Sequence, residues 1–268
     1  MPTIGTLSGN LAYEVADTSP RWREPQETIL FHHGVGIDMD IWIDWLPFLS
    51  GDFQCVRFDM RGCGRSDVPP DDFQWSMDGM MQDALAVADA VEADRFHIIG
   101  ESIGGTISLY TALNTPERIL SVTALSTGHR GNYINHVGSW RKMVEADGFG
   151  AWTERMMEHR FYPGAVDEDV YDWFAETQAS ASPNTTLALG ELLMAEDLSG
   201  DLDQLNCPVL LIHPDSSPFL PVAMSAEIHG LLPNSEMMVI PYAKHAIACS
   251  HATEGALAFM NFVSERVY

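Results

Sequence analysis

Residues 100–105 read GESIGG, and this short stretch lies between an apolar segment and a helical one. The segment before it, DRFHIIG, is typical of a short buried strand, and the segment after it, TISLYTALNTPERI, is typical of a helix. Ser102 is therefore predicted to occupy a strand-to-helix turn between Gly100 and Gly104. Such a G-x-S-x-G turn indicates a nucleophile only where an oxyanion hole, a base and an orienting acid accompany the serine.

Short apolar strands alternate with longer helical patterns along most of the chain. The predicted strands are 27–32, 53–59, 95–100, 119–126, 208–213 and 235–241, with an antiparallel edge at 3–8 and 10–15. The predicted helices are 77–93, 103–114, 221–232 and 252–266. This alternation predicts an α/β fold, with a mostly parallel central sheet flanked by helices.

The alternation stops between about residues 129 and 200, where the sequence shows amphipathic helical patterns and no convincing strand. A helical insertion between two strands of a parallel sheet is expected to cover the carboxyl ends of the strands, where such sheets bind ligands. We therefore predict a core domain of residues 1–128 and 201–268, with a helical cap, or lid, formed by residues 129–200.

The oxyanion hole is predicted from residues 31–36, FHHGVG, which directly follow a predicted strand. Glycine in this loop allows the backbone to turn an N–H towards a reacting carbonyl oxygen. We assign this role to the amides of Val35 and of Ile103, the residue after the predicted nucleophile, and we expect Gly34 to contact substrate. The helix that begins near Ile103 adds its positive N-terminal end.

The general base is predicted near the C-terminus, in VIPYAKHAIACSHA. His245 follows the predicted strand 235–241 and precedes the last helix, which is the place of the base in the chain order serine, acid, histidine. A neutral imidazole there accepts the Ser102 proton and returns it to the leaving group. Among the other histidines, only His129 follows a strand end in a way that also favours a position facing the pocket.

The order HHGVG, FDMRGCGRS, GESIGG, a helical region and a late KHA resembles the α/β-hydrolase fold superfamily over nearly the whole chain. Within it, the layout of SDVPP, PERI and HRFYPG is most similar to the 3-oxoadipate enol-lactonases and to the C–C bond hydrolases of aromatic-ring degradation. The resemblance implies a serine hydrolase with a catalytic triad that uses no metal and no organic cofactor.

The acid of the triad departs from the pattern of the family. After the strand PVLLIH, the family has a glycine and, three residues later, an aspartate before a proline; in HPDSSPFLP these positions hold Pro214 and Ser217. Asp215 comes two residues early, and we predict that a shorter turn brings it to His245. Two alternatives stay open: a carboxylate from the cap or another loop, and a site without an acid, in which the Ser217 hydroxyl orients the imidazole but supplies no charge.

The pocket walls are expected to come from the cap and from the loops at the strand ends. The candidate residues in contact with substrate are Trp42, Trp140, Phe219 and Ile247. Of the cap arginines Arg141, Arg155 and Arg160, we predict that Arg160 faces inward and binds a substrate carboxylate. Glu101 is predicted to be a paired structural carboxylate, because strand alternation directs it away from Ser102.

The overall charge restricts the range of partners. With 14 Lys and Arg against 38 Asp and Glu, the formal net charge is −24, which repels nucleic acid and anionic membranes. The four cysteines match neither a disulfide framework nor a zinc site, which favours a reducing, cytoplasmic compartment. No signal peptide and no run of 18 apolar residues is recognised. We expect a small-molecule substrate, and a homodimer stays open.

Together these features predict a hydrolase that cleaves a small carboxylic ester or a lactone, such as an enol-lactone, through an acyl-enzyme on Ser102. Hydrolysis of a C–C or amide bond in a ring-degradation pathway is the alternative within the same fold. A ligand-binding or receptor-like member without turnover is the alternative from another class, since the fold alone does not select the activity.

Overall fold

The computed structural model describes residues 1–6, 9–20, 22 and 26–267. In this part of the chain eight strands form one sheet in the order β1-β2-β4-β3-β5-β6-β7-β8. The strands are β1 (Thr3–Thr6), β2 (Gly9–Ala16), β3 (Thr28–His32), β4 (Gln54–Phe58), β5 (Phe96–Glu101), β6 (Ile119–Leu125), β7 (Val209–Pro214) and β8 (Ser235–Ile240). Strands β3 to β8 pair in parallel, and β1 and β2 form an antiparallel edge. The predicted α/β architecture is confirmed, although residues 7 and 8 of the predicted strand 3–8 lie outside the described residues.

Helices cover both faces of the sheet. They are α1 (Leu46–Leu49), α2 (Met77–Ala90), α3 (Ile103–Asn114), α4 (Trp140–Arg160), α5 (Glu168–Ser180), α6 (Pro183–Ala195), α7 (Val222–Leu231), α8 (Ile247–Ser250) and α9 (Ala252–Arg266). Successive strand residues point to opposite faces, so Leu30 and Ile98 belong to one apolar cluster while Ile29 and Ile99 belong to the other. Both faces are buried, as expected for a parallel sheet.

The segment between β6 and β7 contains α4, α5 and α6, within the range predicted as a cap. Helix α4 is kinked at Gly148, where the backbone has φ 86°. The C-terminal end of α4 contacts the loop after β8, because the carbonyls of His159 and Arg160 accept hydrogen bonds from the amides of His245 and Ala246, both at 3.3 Å. Helix α4, within the predicted cap, is thus bonded to the loop after β8 at the carboxyl edge of the sheet.

Two further features are the state of the cysteines and the character of the helices. The cysteines Cys55, Cys63, Cys207 and Cys249 are all free thiols. Among the described residues, no helix combines the length and the apolar character needed to cross a membrane.

Candidate active site

Ser102 lies on a sharp turn between β5 and α3, with φ 59° and ψ −123°. This conformation is strained for a residue with a side chain, and such strain is concentrated at functional sites. Glycines make the turn sterically feasible. A Cβ at Gly100 would overlap the Gly104 carbonyl, and one at Gly104 would overlap the carbonyl oxygens of His32 and His33. The geometry is that of a nucleophile elbow.

His245 is placed to act as a base on Ser102. Its Nε2 lies 3.0 Å from the Ser102 Oγ, within the reach required for proton transfer. The backbone carbonyl of His245 accepts a hydrogen bond from the Ser126 hydroxyl at 2.8 Å. The Phe219 ring packs edge-on against the imidazole, with ring centroids 4.7 Å apart. These contacts fix the position of the ring beside the nucleophile.

The other ring nitrogen of His245 contacts a hydroxyl. The Ser217 Oγ lies 3.2 Å from Nδ1 of His245, and the same oxygen accepts a hydrogen bond from the Leu220 amide at 3.3 Å. A serine oxygen can accept two hydrogen bonds, so it can serve both donors. With the proton on Nδ1, Nε2 remains free to accept the Ser102 proton.

This arrangement corrects the prediction that Asp215 orients His245. The Asp215 carboxylate is exposed and accepts hydrogen bonds from the amides of Tyr242 and Ala243 and from the Ser216 hydroxyl. These bonds lower the pKa of Asp215, with the Tyr242 amide as the largest cause. Asp215 therefore stabilises the turn after β8, and among the described residues no carboxylate oxygen forms an ion pair with His245.

The electrostatic surroundings of His245 disfavour its protonated form. Burial, followed by the positive charge of Arg160 and by the neighbouring His213 and His159, lowers the pKa of His245 well below its ordinary value. His213 is itself buried, and its Nε2 donates a hydrogen bond to the Leu220 carbonyl at 3.1 Å. The base is therefore neutral over a wide pH range, but an imidazolium formed during reaction would lack a compensating carboxylate.

The predicted oxyanion donors lie on either side of the nucleophile. Among the described residues no acceptor is found for the amide of Val35 or for that of Ile103, the first residue of α3. Gly34 lies against the nucleophile, because a Cβ there would be 3.3 Å from the Ser102 Cβ. The His33 side chain braces the loop, with Nδ1 2.8 Å from the Gly34 carbonyl and Nε2 accepting from the Met60 amide at 2.9 Å. The two free amides provide donors for a developing oxyanion.

A small cavity opens beside Ser102 and His245. Measured as the space open to the centre of a water-sized sphere, it is about 20 Å³, which is room for one water molecule. Of the residues predicted to contact substrate, Trp140, Arg160 and Phe219 line this cavity. Trp42 and Ile247 do not: both are fully buried in the apolar cluster on the other face of the sheet, so these two predictions were wrong.

Arg160 is buried at the edge of the cavity. Its Nε donates to Gln178 Oε1 at 3.2 Å, and its Nη2 donates to the Val35 carbonyl at 3.1 Å. Burial lowers the pKa of Arg160 to about 10, partly opposed by the negative charge of Glu101. The other two cap arginines, Arg141 and Arg155, are exposed. Arg160 therefore holds the loop of Val35 in place and also presents a positive charge to the cavity.

Glu101 is buried and does not face the nucleophile. Its Oε1 accepts a hydrogen bond from the Ala248 amide at 2.8 Å, as expected for a structural carboxylate. Burial raises the pKa of Glu101 to about 7, while hydrogen bonds from Ala248 and Ile247 and the charge of Arg160 oppose the rise. Near neutral pH this carboxyl is therefore only partly ionised.

The sequence interpretation did not identify two residues that support the site. Gln178 bonds Arg160 and also donates to the Thr153 carbonyl at 3.0 Å. Ser126 has φ 48°, and its hydroxyl donates a hydrogen bond to the His245 carbonyl. Its position directly after a strand of the parallel sheet indicates a residue near the site. Nothing in the local sequence of α5 distinguishes Gln178 from a surface glutamine.

Comparison with known proteins places the chain in a family. Residues 27–252 match the model of the α/β-hydrolase fold family, so the chain belongs to that family and is a hydrolase of the α/β type. The resemblance seen in the sequence is thereby confirmed.

Individual relatives have different named activities. A putative carbamate hydrolase RutD from Shigella flexneri serotype X (strain 2002017) is 25% identical over 244 residues, covering 85% of this chain and 88% of that protein. The enol-lactonase from Burkholderia xenovorans LB400 has a TM-score of 0.89 at 19% identity, over 98% of this chain and all (100%) of the other. The meta-cleavage product hydrolase of Pseudomonas fluorescens IP01 has a TM-score of 0.82 at 17% identity, over 99% and 98% of the two chains. The two structural likenesses show the fold alone.

Proposed function

We propose that this hydrolase cleaves a small carboxylic ester or a lactone, such as an enol-lactone, through a covalent acyl-enzyme on Ser102. The observation that carries the proposal is the 3.0 Å contact between Ser102 Oγ and His245 Nε2 on a strained elbow. Two amides beside it have no acceptor among the residues that the structure describes. A nucleophile within reach of its base and of oxyanion donors is the arrangement that acyl transfer needs.

The reaction proceeds in two halves. Ser102 Oγ attacks the substrate carbonyl while its proton passes to His245 Nε2, and the Val35 and Ile103 amides donate to the oxyanion. His245 then returns the proton to the leaving oxygen as the acyl C–O bond breaks. In the second half, water attacks the acyl carbonyl and gives a proton to His245 Nε2. His245 then returns this proton to Ser102 Oγ as the acyl–Oγ bond breaks and the carboxylic acid leaves.

The missing carboxylate restricts which esters react well. In a serine hydrolase with a chymotrypsin-type triad, loss of the carboxylate's function lowers kcat about 10⁴-fold. Ser217 preserves an orienting contact but adds no negative charge. We therefore expect activated acyl groups, such as aryl esters and enol-lactones, to be cleaved faster than simple alkyl esters or amides, because their leaving groups require less proton transfer.

The cavity also limits the substrate. Room for one water molecule is too small for any ester, so substrate entry requires residues that line the cavity to move. The contacts that must yield include the two backbone bonds from the loop of His245 to the end of α4. A substrate with a compact acyl group requires the smallest displacement of the residues around the cavity.

Mass spectrometry of the intact protein tests the proposal. An aryl acetate and an enol-lactone should each add one acyl mass to wild type, and peptide mapping should place it on Ser102. Ser102→Ala should lose both the adduct and turnover, whereas Ser264→Ala, at an exposed serine of α9, should retain them. A folded wild-type protein that forms no adduct and turns over neither substrate, or a Ser102→Ala variant that turns over at the wild-type rate, would refute this function. Turnover of carbamates or ring-fission products alone would assign a different substrate class.

A further inference from the structure

The groups around His245 form an unusual electrostatic environment for a serine hydrolase. Arg160 and His245 line the same cavity, and the groups that act electrostatically on the imidazole are Arg160 and His159 from α4 and His213 from β7. The carboxylate of Asp215, two residues before Ser217, is turned to the amides of Tyr242 and Ala243. In a triad, the carboxylate stabilises the imidazolium that forms in the transition state. Here the facing groups carry either positive charge or none.

Arg160 is the second part of this environment. A buried charge is costly unless an opposite charge or several hydrogen bonds compensate it. Of its guanidinium nitrogens, Nε and Nη2 have neutral acceptors, and no partner is found for Nη1 in the described part of the chain. No carboxylate within it forms an ion pair with Arg160, and Glu101, which acts on it at longer range, is only partly ionised near neutral pH. A positive charge that lines the cavity therefore lacks a full counter-charge.

These two features complement each other. An anionic group bound at Arg160 would compensate the buried cation and would also cancel the positive field that disfavours an imidazolium at His245. Charge-assisted hydrogen bonds between a guanidinium and a carboxylate are among the stronger ones in proteins. Ser217 keeps its own role, because its oxygen fixes the Nδ1 proton and leaves Nε2 free for Ser102.

We propose that the substrate is an anion whose carboxylate pairs with Arg160, and that this charge stabilises the His245 imidazolium in place of the absent triad acid, while Ser217 is an uncharged positioning residue. This inference rests on the proposed function and names its substrate class. The substrate charge then contributes to kcat as well as to binding, because it acts where charge develops.

Matched pairs of esters test the substrate part. One pair is 3-acetoxybenzoate and its neutral isostere 3-acetoxybenzamide; the other is the 4-nitrophenyl monoester of adipic acid and its methyl ester, with the anion on the acyl side. At least one pair should show a preference of about 30-fold or more in kcat/KM for the anion, including a higher kcat. Arg160→Gln should reduce that ratio to about threefold or less. Arg155→Gln, at an exposed arginine of the same helix, should leave the ratio unchanged.

The ratio of kcat/KM between the anionic and the neutral member of a pair distinguishes recognition of the substrate charge from structural damage to the enzyme. Arg160 also holds the Val35 carbonyl, and loosening of that loop would lower the rates for both members of a pair alike. A wild-type protein that cleaves both members of both pairs equally well would overturn the anionic-substrate proposal, while leaving the ester-hydrolase proposal intact.

Binding provides a readout that is independent of turnover. Calorimetry on Ser102→Ala should show that 3-acetoxybenzoate or the adipate monoester binds at least tenfold more tightly than its neutral partner. The double variant Ser102→Ala/Arg160→Gln should lose that difference. Equal affinities for the anionic and neutral members of both pairs would overturn the proposal even if no substrate is turned over.

Ser217→Asp tests the charge argument. A carboxylate at this position would raise the pKa of His245, and should raise kcat for the neutral esters about tenfold or more with a smaller gain for the anions. The acid limb of the pH–rate profile should move to higher pH. Ser216→Asp adds a carboxylate in the same turn on a side chain that faces Asp215, and should change neither. A Ser217→Asp variant that folds but shows no shift of the acid limb, or the same gain for both members of a pair, would contradict the charge argument.

Discussion

The ends of β5 and β7 stand close together in the active site, yet only the first follows the pattern of the family closely. At the end of β5, Ser102 occupies a strained turn that glycines make feasible. At the end of β7, the turn places Ser217 against His245 and directs Asp215 to the turn after β8. The end of β5 thus has the geometry of a nucleophile elbow, whereas the side chain that contacts Nδ1 of His245 is an uncharged hydroxyl.

The difference shows that the two turns are constrained by different physics. The elbow is constrained by steric overlap, because a side chain at Gly100 would collide with the Gly104 carbonyl and one at Gly104 would collide with backbone at the end of β3. The turn after β7 is held by hydrogen bonds from its backbone and from its side chains, mostly to the end of β8 and the turn after it. A change of residue there preserves the fold and alters the chemistry.

The largest effect is expected at the elbow. Gly104→Ala places a Cβ against the carbonyl oxygens of His32 and His33, so the turn must distort, and kcat/KM for an aryl ester should fall at least about 10³-fold. Gly230→Ala, in α7 with open space around it, should retain activity. Steady-state kinetics, with circular dichroism to confirm folding, makes the comparison. A folded Gly104→Ala enzyme of near wild-type activity would show that the elbow tolerates a side chain.

The next largest effect is expected at Ser217. Ser217→Ala removes the acceptor for Nδ1 of His245, so the imidazole loses its fixed tautomer and orientation. We expect kcat to fall roughly 10- to 100-fold with little change in KM, which is less than the loss of about 10⁴-fold when the carboxylate of a chymotrypsin-type triad loses its function. The control is Ser216→Ala, whose hydroxyl contacts Asp215. Equal kinetics for the two variants would show that the Ser217 contact is incidental.

The pH dependence distinguishes this site from one with an acid. Because burial and the charge of Arg160 lower the pKa of His245, the base stays neutral as the pH falls through 6.5, the ordinary pKa of histidine. The acid limb of kcat/KM for a neutral ester should therefore lie below pH 6.5, whereas a neighbouring carboxylate would have moved it upward. An acid limb above pH 6.5 would indicate that a carboxylate reaches His245 in the working enzyme.

The smallest effect on activity is expected at Asp215. Asp215→Asn weakens bonds to the Tyr242 and Ala243 amides, at an exposed turn. The cost should be on the order of 1 kcal/mol, which lowers the melting temperature by about 3 °C in a domain of this size. Turnover should remain within about threefold of wild type. A thermal melt and steady-state kinetics of Asp215→Asn make the comparison. A folded variant that loses more than 100-fold in turnover would show that Asp215 acts as the acid of a catalytic triad.

The sequence predicted those features that local sterics and periodicity determine. The strand alternation predicted the sheet, and the glycines around Ser102 predicted the elbow. It did not predict which way Asp215 points, because that depends on amides offered by the turn after β8. Nor did it separate Trp140, which lines the cavity, from Trp42, which is buried in the core, since both are tryptophans near the expected pocket and only tertiary packing distinguishes them.

The most direct test of the account is the rate of fluorophosphonate labelling of Ser102, read by mass spectrometry, in wild type, Ser217→Ala and Asp215→Asn. Labelling reports the reactivity of the serine and requires no knowledge of the substrate. The account predicts that Asp215→Asn labels at close to the wild-type rate and that Ser217→Ala labels at least about tenfold more slowly. The reverse order would contradict it, because His245 would then depend on Asp215 and not on the hydroxyl that contacts it in the structure.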